Sequence, residues 1–161
     1  MYWFSEKEYS KILDELVIVT VDTLLIDKDS NILLGKRIKY PIKDLWIFGG
    51  RMQANDTYIS AAKKGLLREL NIEINDSRLS FVGYYDLKWD YREESPCKKG
   101  THVVLAAMMY QISEDEKQTI TKPSDHEYIK WYSKHEIETM ELNHYLKDII
   151  NDANKMLVVG V

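Results

Sequence analysis

Cysteine is nearly absent: Cys97 is alone among 161 residues. That excludes an internal disulfide framework and a multi-cysteine zinc site, and a reducing compartment is compatible with it. Proline (three) and glycine (seven) are also scarce, and there is no low-complexity stretch, repeat or linker. Basic charge is in deficit, with 22 Lys+Arg against 26 Asp+Glu and a net charge of −4. Binding a nucleic-acid duplex needs a cationic surface, so nucleic acid is not expected as the partner. A small phosphorylated ligand held by two or three local arginines stays open. No apolar run approaches the roughly 18 residues that span a bilayer. The start, Met1-Tyr2-Trp3-Phe4-Ser5-Glu6-Lys7-Glu8, turns acidic at once, unlike a signal peptide. These absences predict a soluble, cytoplasmic chain with no membrane contact. What is present, 45% hydrophobic and 30% charged residues, fits one globular domain over residues 1–161.

Local patterns divide the chain. Ser5-x-x-Glu8 is a capping box opening a helix to about Leu16. Val17 to Ile26 is β-branched and apolar, Asp27 to Asn31 has turn chemistry, and Ile32 to Arg37 reads as the returning strand of a hairpin. Tyr40 to Asp44 is a loop before Trp46-Ile47-Phe48-Gly49-Gly50. Asn55 or Asp56 is placed to cap a helix over about 57–70, with Ile59, Ala62, Leu66 and Leu70 as its apolar stripe. Leu79 to Trp89 and His102 to Ile112 read as strands around a polar loop containing Pro96 and Gly100. Ile129 to Tyr132 is a short strand, Ser133-x-x-Glu136 a second capping box, and a last helix spans about 143–156. Strands on both sides of a mid-chain helix, with helices at the ends, predict an α/β sandwich.

The chemistry concentrates between Gly49 and Ile72. A glycine pair, an acidic residue six positions later and a helix ending in Arg68-Glu69-Leu70 resemble the Nudix box, G-x5-E-x7-R-E-U-x-E-E-x-G-U, where U is aliphatic. In that alignment Gly50 opens the box and Asp56 replaces the first Glu. Lys64-Gly65 replace Arg-Glu, Arg68-Glu69 replace Glu-Glu, and Asn71 replaces the last glycine. With Glu69 as the surviving helix carboxylate, the pattern resembles one branch, the GDP-mannose mannosyl hydrolases. The likeness extends through Asp22, Leu33-Leu34-Gly35-Lys36-Arg37, Trp46, Gly49-Gly50-Arg51, Ala61, Gly83, Thr101-His102, His126 and Trp131. Trp46 to Gly50 is one residue shorter than the branch's Trp-x-x-Pro-Gly-Gly and lacks its proline. Val103 stands where the branch has a tyrosine.

The resemblance implies a Nudix-type α/β/α sandwich with a mixed sheet. It also implies Mg²⁺-dependent hydrolysis of a nucleotide-sugar, GDP-mannose or GDP-glucose, by water attack at the anomeric carbon with inversion. Arg37 and Arg51 would neutralise charge on the departing diphosphate, because a guanidinium fork bridges phosphate oxygens. One Mg²⁺, with Mn²⁺ as the alternative, would sit on the Gly49 carbonyl, Glu69 and Asp125, the branch having Gln at the last position. His126 would be the general base, since an imidazole accepts a proton from water near neutrality. Asp22 would bind the sugar side. A homodimer is implied, and the run Tyr84 to Tyr91 is compatible with its contact. Two other readings stand beside this one: a diphosphatase attacking phosphorus, and a nucleotide-sugar sensor without turnover.

Each residue also has a plainer reading. Taken alone, Arg37 is a solvated strand end, His126 part of a polar loop, and Glu69 one half of a helix-end ion pair. Asp22 in an apolar strand fits a buried salt bridge as well as a site role. His102, His135 and His144 have no ligand spacing, and Cys97 has no nucleophile motif. Gly65 in mid-helix, about 1 kcal/mol worse than Ala, has no explanation in the sequence.

Overall fold

A computed structural model describes residues 4–159. The N-terminal reading at Met1 to Trp3 therefore lies outside the described residues, as do Gly160 and Val161. In chain order the elements are α1 (Glu6–Glu15), β1 (Ile18–Ile26), β2 (Ile32–Arg37), β3 (Leu45–Trp46), β4 (Phe48–Arg51) and α2 (Tyr58–Leu70). They continue with β5 (Leu79–Trp89), β6 (Thr101–Gln111), α3 (Glu114–Gln118), β7 (His126–Tyr132), α4 (Lys134–Thr139) and α5 (His144–Val159). No described helix is long and apolar enough to cross a membrane.

The seven strands form one mixed sheet. β1 runs parallel to β6 along its whole length, and β5 completes that side antiparallel to β6. On its other edge β1 is divided. Thr20 to Thr23 pair with β4, whereas only Leu25 and Ile26 pair with β2. β2 then leaves β1 and pairs with β3, while β7 pairs along its other edge from Ile32 to Arg37. Side chains alternate across β1 as the pleat requires. Leu24 and Ile26 join Leu105, Leu146, Ile149 and Ala153 on the α5 face. Val21 and Leu25 lie on the α2 face, with Ala62 and Ala106 packed near the first and Leu66, Leu70 and Tyr110 near the second. An α/β/α sandwich results, as expected.

Several local expectations are corrected. The cap of α2 is Thr57, not Asn55 or Asp56: its hydroxyl accepts from the Ser60 N–H in a reciprocal Thr-Ser box. Asp56 instead accepts from Lys64, and Asn55 takes a left-handed turn, φ 70°. Ile59 is exposed, and the buried stripe is Ala61, Ala62, Gly65, Leu66 and Leu70. Small residues lie under this helix because a strand backbone passes close beneath it. β7 begins three residues earlier than expected, at His126, because Arg37 supplies a pairing partner that no local pattern shows. Helix α3 was not expected, although Ser113-x-x-Glu116 is a third capping box. In the run Tyr84 to Tyr91, Leu87 is buried, Tyr85 bonds Asp152 and Trp89 packs on Trp46 and Tyr145, so only part of it is free for a contact.

Two polar knots fix the periphery. Arg92, 1% exposed, donates to Ser10, Asp14 and the Gly100 carbonyl, tying α1 to the loop before β6. Glu116 accepts from Arg78, the Tyr110 hydroxyl and the Ser113 N–H. Burial raises the Glu116 carboxyl, but those donors outweigh it and hold the pKa at about 2. A depressed folded-state pKa stabilises above the unfolded value and loses that effect as pH falls toward the folded one. Glu116→Gln is therefore expected to lower unfolding free energy by about 1–2 kcal/mol at pH 7. In urea titrations the gap from the parent should close between pH 4.5 and 2, and a gap independent of pH would show that the charge is immaterial.

Candidate active site

The site begins where α2 meets β4. A Cβ on Gly65 would lie 3.0 Å from the Gly49 Cα, so glycine lets the helix rest on this strand without pushing its backbone away. That contact accounts for the mid-helix glycine. One turn further along, Arg68 and Glu69 reach the same backbone. The Gly49 N–H donates to Glu69 Oε2 (3.1 Å), and Arg68 Nη2 donates to the Gly49 carbonyl (2.8 Å) and to Glu69 Oε1 (3.4 Å). Gly50 leaves room for the guanidinium, since a Cβ there would come within 2.7 Å of Arg68 Nη2.

Asp22 pairs with Gly49 across the β1–β4 ladder and accepts from the Trp46 indole N–H (2.9 Å). Burial pushes its carboxyl upward, against the opposing pull of Trp46, Arg37 and Arg68. Glu69 is pushed up to about 7, first by burial and then by the Asp22 charge, while Arg68, the Gly49 N–H and Arg37 act the other way. Two acidic groups thus lie in a poorly solvated wall and are balanced by two arginines.

The second half of the site comes from the β2–β7 pair. A register shift between Lys36 and Arg37 places Glu127 as an extra residue, so His126 lies opposite Arg37. The imidazole lies between Gly35 of β2 and Phe48 of β4. It stacks on Phe48 (centroids 5.5 Å apart), and a Cβ on Gly35 would come within 2.8 Å of its Nε2. Nδ1 lies 2.9 Å from Asp125 Oδ1, whereas Nε2 is buried without a partner. Burial lowers the His126 pKa, partly countered by Asp125, so the ring is neutral near neutral pH. With Nδ1 donating to the carboxylate, the lone pair is on Nε2. Burial raises the Asp125 carboxyl, but the hydrogen bond and charge of His126 outweigh it and the net shift is downward.

Arg37 links the halves: its charge acts on Asp22, Glu69, Asp125 and His126. Its Nε is buried without a partner. Arg51 lies apart at the exposed end of β4, its guanidinium 4.2 Å from the Tyr9 ring centre. Of the residues singled out in the sequence, Asp22, Gly49 and Glu69 form one group and Arg37, Asp125 and His126 another. Sequence reasoning quoted Trp46 and Gly35 in the resemblance but gave no role to them, to Phe48 or to Arg68. For Arg68 a signal existed, because a basic residue replaces an acidic one in the box.

The expected metal donors can be tested against this geometry. The Gly49 carbonyl already accepts from Arg68, Glu69 is held by Arg68 and the Gly49 N–H, and Asp125 holds the imidazole. Among the described residues no three His, Cys, Asp or Glu side chains form a group able to hold a metal ion. As arranged, these donors do not fit a divalent cation.

A neutral histidine oriented by a carboxylate, beside an unpartnered arginine nitrogen and on an α/β/α frame, is an arrangement able to accept a proton next to a cationic group. The NUDIX domain family model matches residues 17–152, and the chain belongs to that family. The family's hydrolases generally use divalent metals such as Mg²⁺. Solved structures share the fold. The MutT protein of Methanosarcina mazei Go1 aligns with TM-score 0.68 and 15% identity, covering 89% of this chain and 97% of that one. A MutT NUDIX hydrolase of Burkholderia pseudomallei gives 0.66 and 19%, over 86% and 98%. The NUDIX domain of Shewanella oneidensis NrtR, solved with ADP ribose, gives 0.65 and 16%, over 96% and 99%.

Gly65→Ala tests the α2–β4 contact. The gain in helix propensity, about 1 kcal/mol, offsets part of the crowding. The melting temperature is thus expected to move by only a few degrees, while displacement of Glu69 lowers turnover by about tenfold or more. Unchanged turnover would show that the close approach does not serve the site.

Proposed function

We propose that this protein hydrolyses a nucleoside diphosphate sugar by water attack at the anomeric carbon, releasing the nucleoside diphosphate and the free sugar with inversion. GDP-mannose or GDP-glucose is the substrate that the sequence resemblance favours. The observation that carries the reading is His126: a neutral, carboxylate-oriented imidazole with an unpartnered Nε2, opposite Arg37. The complex of the NrtR NUDIX domain with ADP ribose supports a nucleoside diphosphate joined to a sugar as the ligand class.

In this mechanism His126 Nε2 takes a proton from the attacking water while Asp125 holds the ring and offsets the charge it acquires. Nε2 is shut away behind Gly35, so the base works only when the substrate opens the fork between β2 and β4. Arg37 meets the developing negative charge on the leaving diphosphate, and Arg51 holds its outer end. Asp22 has Oδ2 committed to Trp46, leaving Oδ1 to accept from a sugar hydroxyl. Diphosphate is a good leaving group, so no general acid is required. A cytoplasmic homodimer belongs to the same reading. Exposed Phe81 and Tyr84 on edge strand β5, packed with Tyr58, support its contact.

The decisive experiment is turnover of GDP-mannose in ¹⁸O-water. Label in free mannose beside unlabelled GDP is the expected result. Label in a phosphate product would place the attack at phosphorus, and binding without turnover across a nucleotide-sugar panel would make the chain a sensor. His126→Gln should lower kcat by about 10²–10⁴-fold with little change in binding; near-normal turnover at pH 7 would remove His126 from the base role.

A further inference from the structure

The exchange of a glutamate for Arg68 gives the expected metal position an occupant of its own. The guanidinium bonds to both a backbone carbonyl and a carboxylate, the two donor types a hard divalent ion would claim. It reaches them across Gly50, the position where a side chain would collide with it. Glu69 in turn is fixed by the Gly49 N–H. Only one of the five N–H donors of the Arg68 guanidinium is used on the Gly49 carbonyl, and the side chain is 57% exposed. The same group therefore holds the buried carboxylate on one side and offers donors to solvent on the other. Its charge acts on Asp22 as well as Glu69 and so balances the acidic wall.

We propose that Arg68 is the built-in cation of this site, standing in for the divalent ion at Gly49 and Glu69 and donating directly to the substrate's diphosphate. The guanidinium fork bridges two phosphate oxygens and carries the complementary charge, so binding through Arg68 and Arg37 proceeds without metal. The inference uses the diphosphate ligand class of the preceding reading, but its central consequence concerns the free protein. The unliganded chain has no divalent-cation site at Glu69, and removing Arg68 creates one.

Mn²⁺ alone, titrated into the purified full chain at pH 8 and followed by electron paramagnetic resonance, tests this without any substrate. The parent protein is expected to leave Mn²⁺ free, Arg68→Ala to bind it, and Arg68→Ala with Glu69→Gln to lose it again. Gly50→Ala, which pushes the guanidinium aside without deleting it, should open the same position in part. In parallel, GDP and ADP binding measured in EDTA should weaken by about tenfold or more in Arg68→Ala, the loss of a charge-assisted contact. Glu69-dependent Mn²⁺ binding by the parent protein overturns the proposal. So does a variant series that never binds Mn²⁺ and keeps parental nucleotide affinity in EDTA. If Mn²⁺ stays free throughout, the stand-in role is overturned, and a fall in nucleotide affinity with Arg68 leaves only its contact with the diphosphate. Neither titration depends on where water attacks, so the labelling experiment can fail while this one succeeds, and the reverse.

Discussion

The divided edge of β1 is the constraint from which the site follows. One edge of a strand cannot bond two neighbours at the same residues, so once β4 has taken Thr20 to Thr23, β2 must leave after Leu25. The fork this creates would be a void in a close-packed interior. It is filled by the His126 imidazole, seated on Phe48 over the bare face of Gly35. A packing requirement thus carries the catalytic candidate into position, with Asp125 and Arg37 arriving alongside through the β2–β7 ladder.

The helix side obeys a second steric rule. Gly65, Gly49 and Gly50 remove side chains from one α2–β4 contact, and the backbone approach that results lets Glu69 and Arg68 bond to a strand rather than to solvent. Low solvation there costs the carboxylates their usual acidity, which is why Glu69 is held near 7. Arginines are the compensating charges throughout.

Much of the fold was legible because its signals are local. Capping boxes at Ser5 and Ser133, the Asp27–Asn31 turn and the long strand-forming stretches of β5 and β6 are set by neighbouring residues, and they occur close to where expected. Glycine at position 65 was visible but meaningless until the strand beneath it was known. Thr57 was overlooked because its box partner is Ser60, a weaker signal than the usual Glu. The start of β7 was missed because its pairing partner lies about ninety residues earlier in the chain.

The sequence by itself determined the α/β class, the Nudix resemblance and the set of candidate site residues, since spacing and residue type survive without coordinates. The tertiary structure alone decided who meets whom. It buried His126 in the fork, joined Asp22 to Trp46, set Arg51 against Tyr9, and placed the Arg68 guanidinium on the donors assigned to a metal. The physical reason is that each of these contacts joins elements far apart in the chain. Their energies come from burial and charge balance, which exist only once the sheet has closed around them.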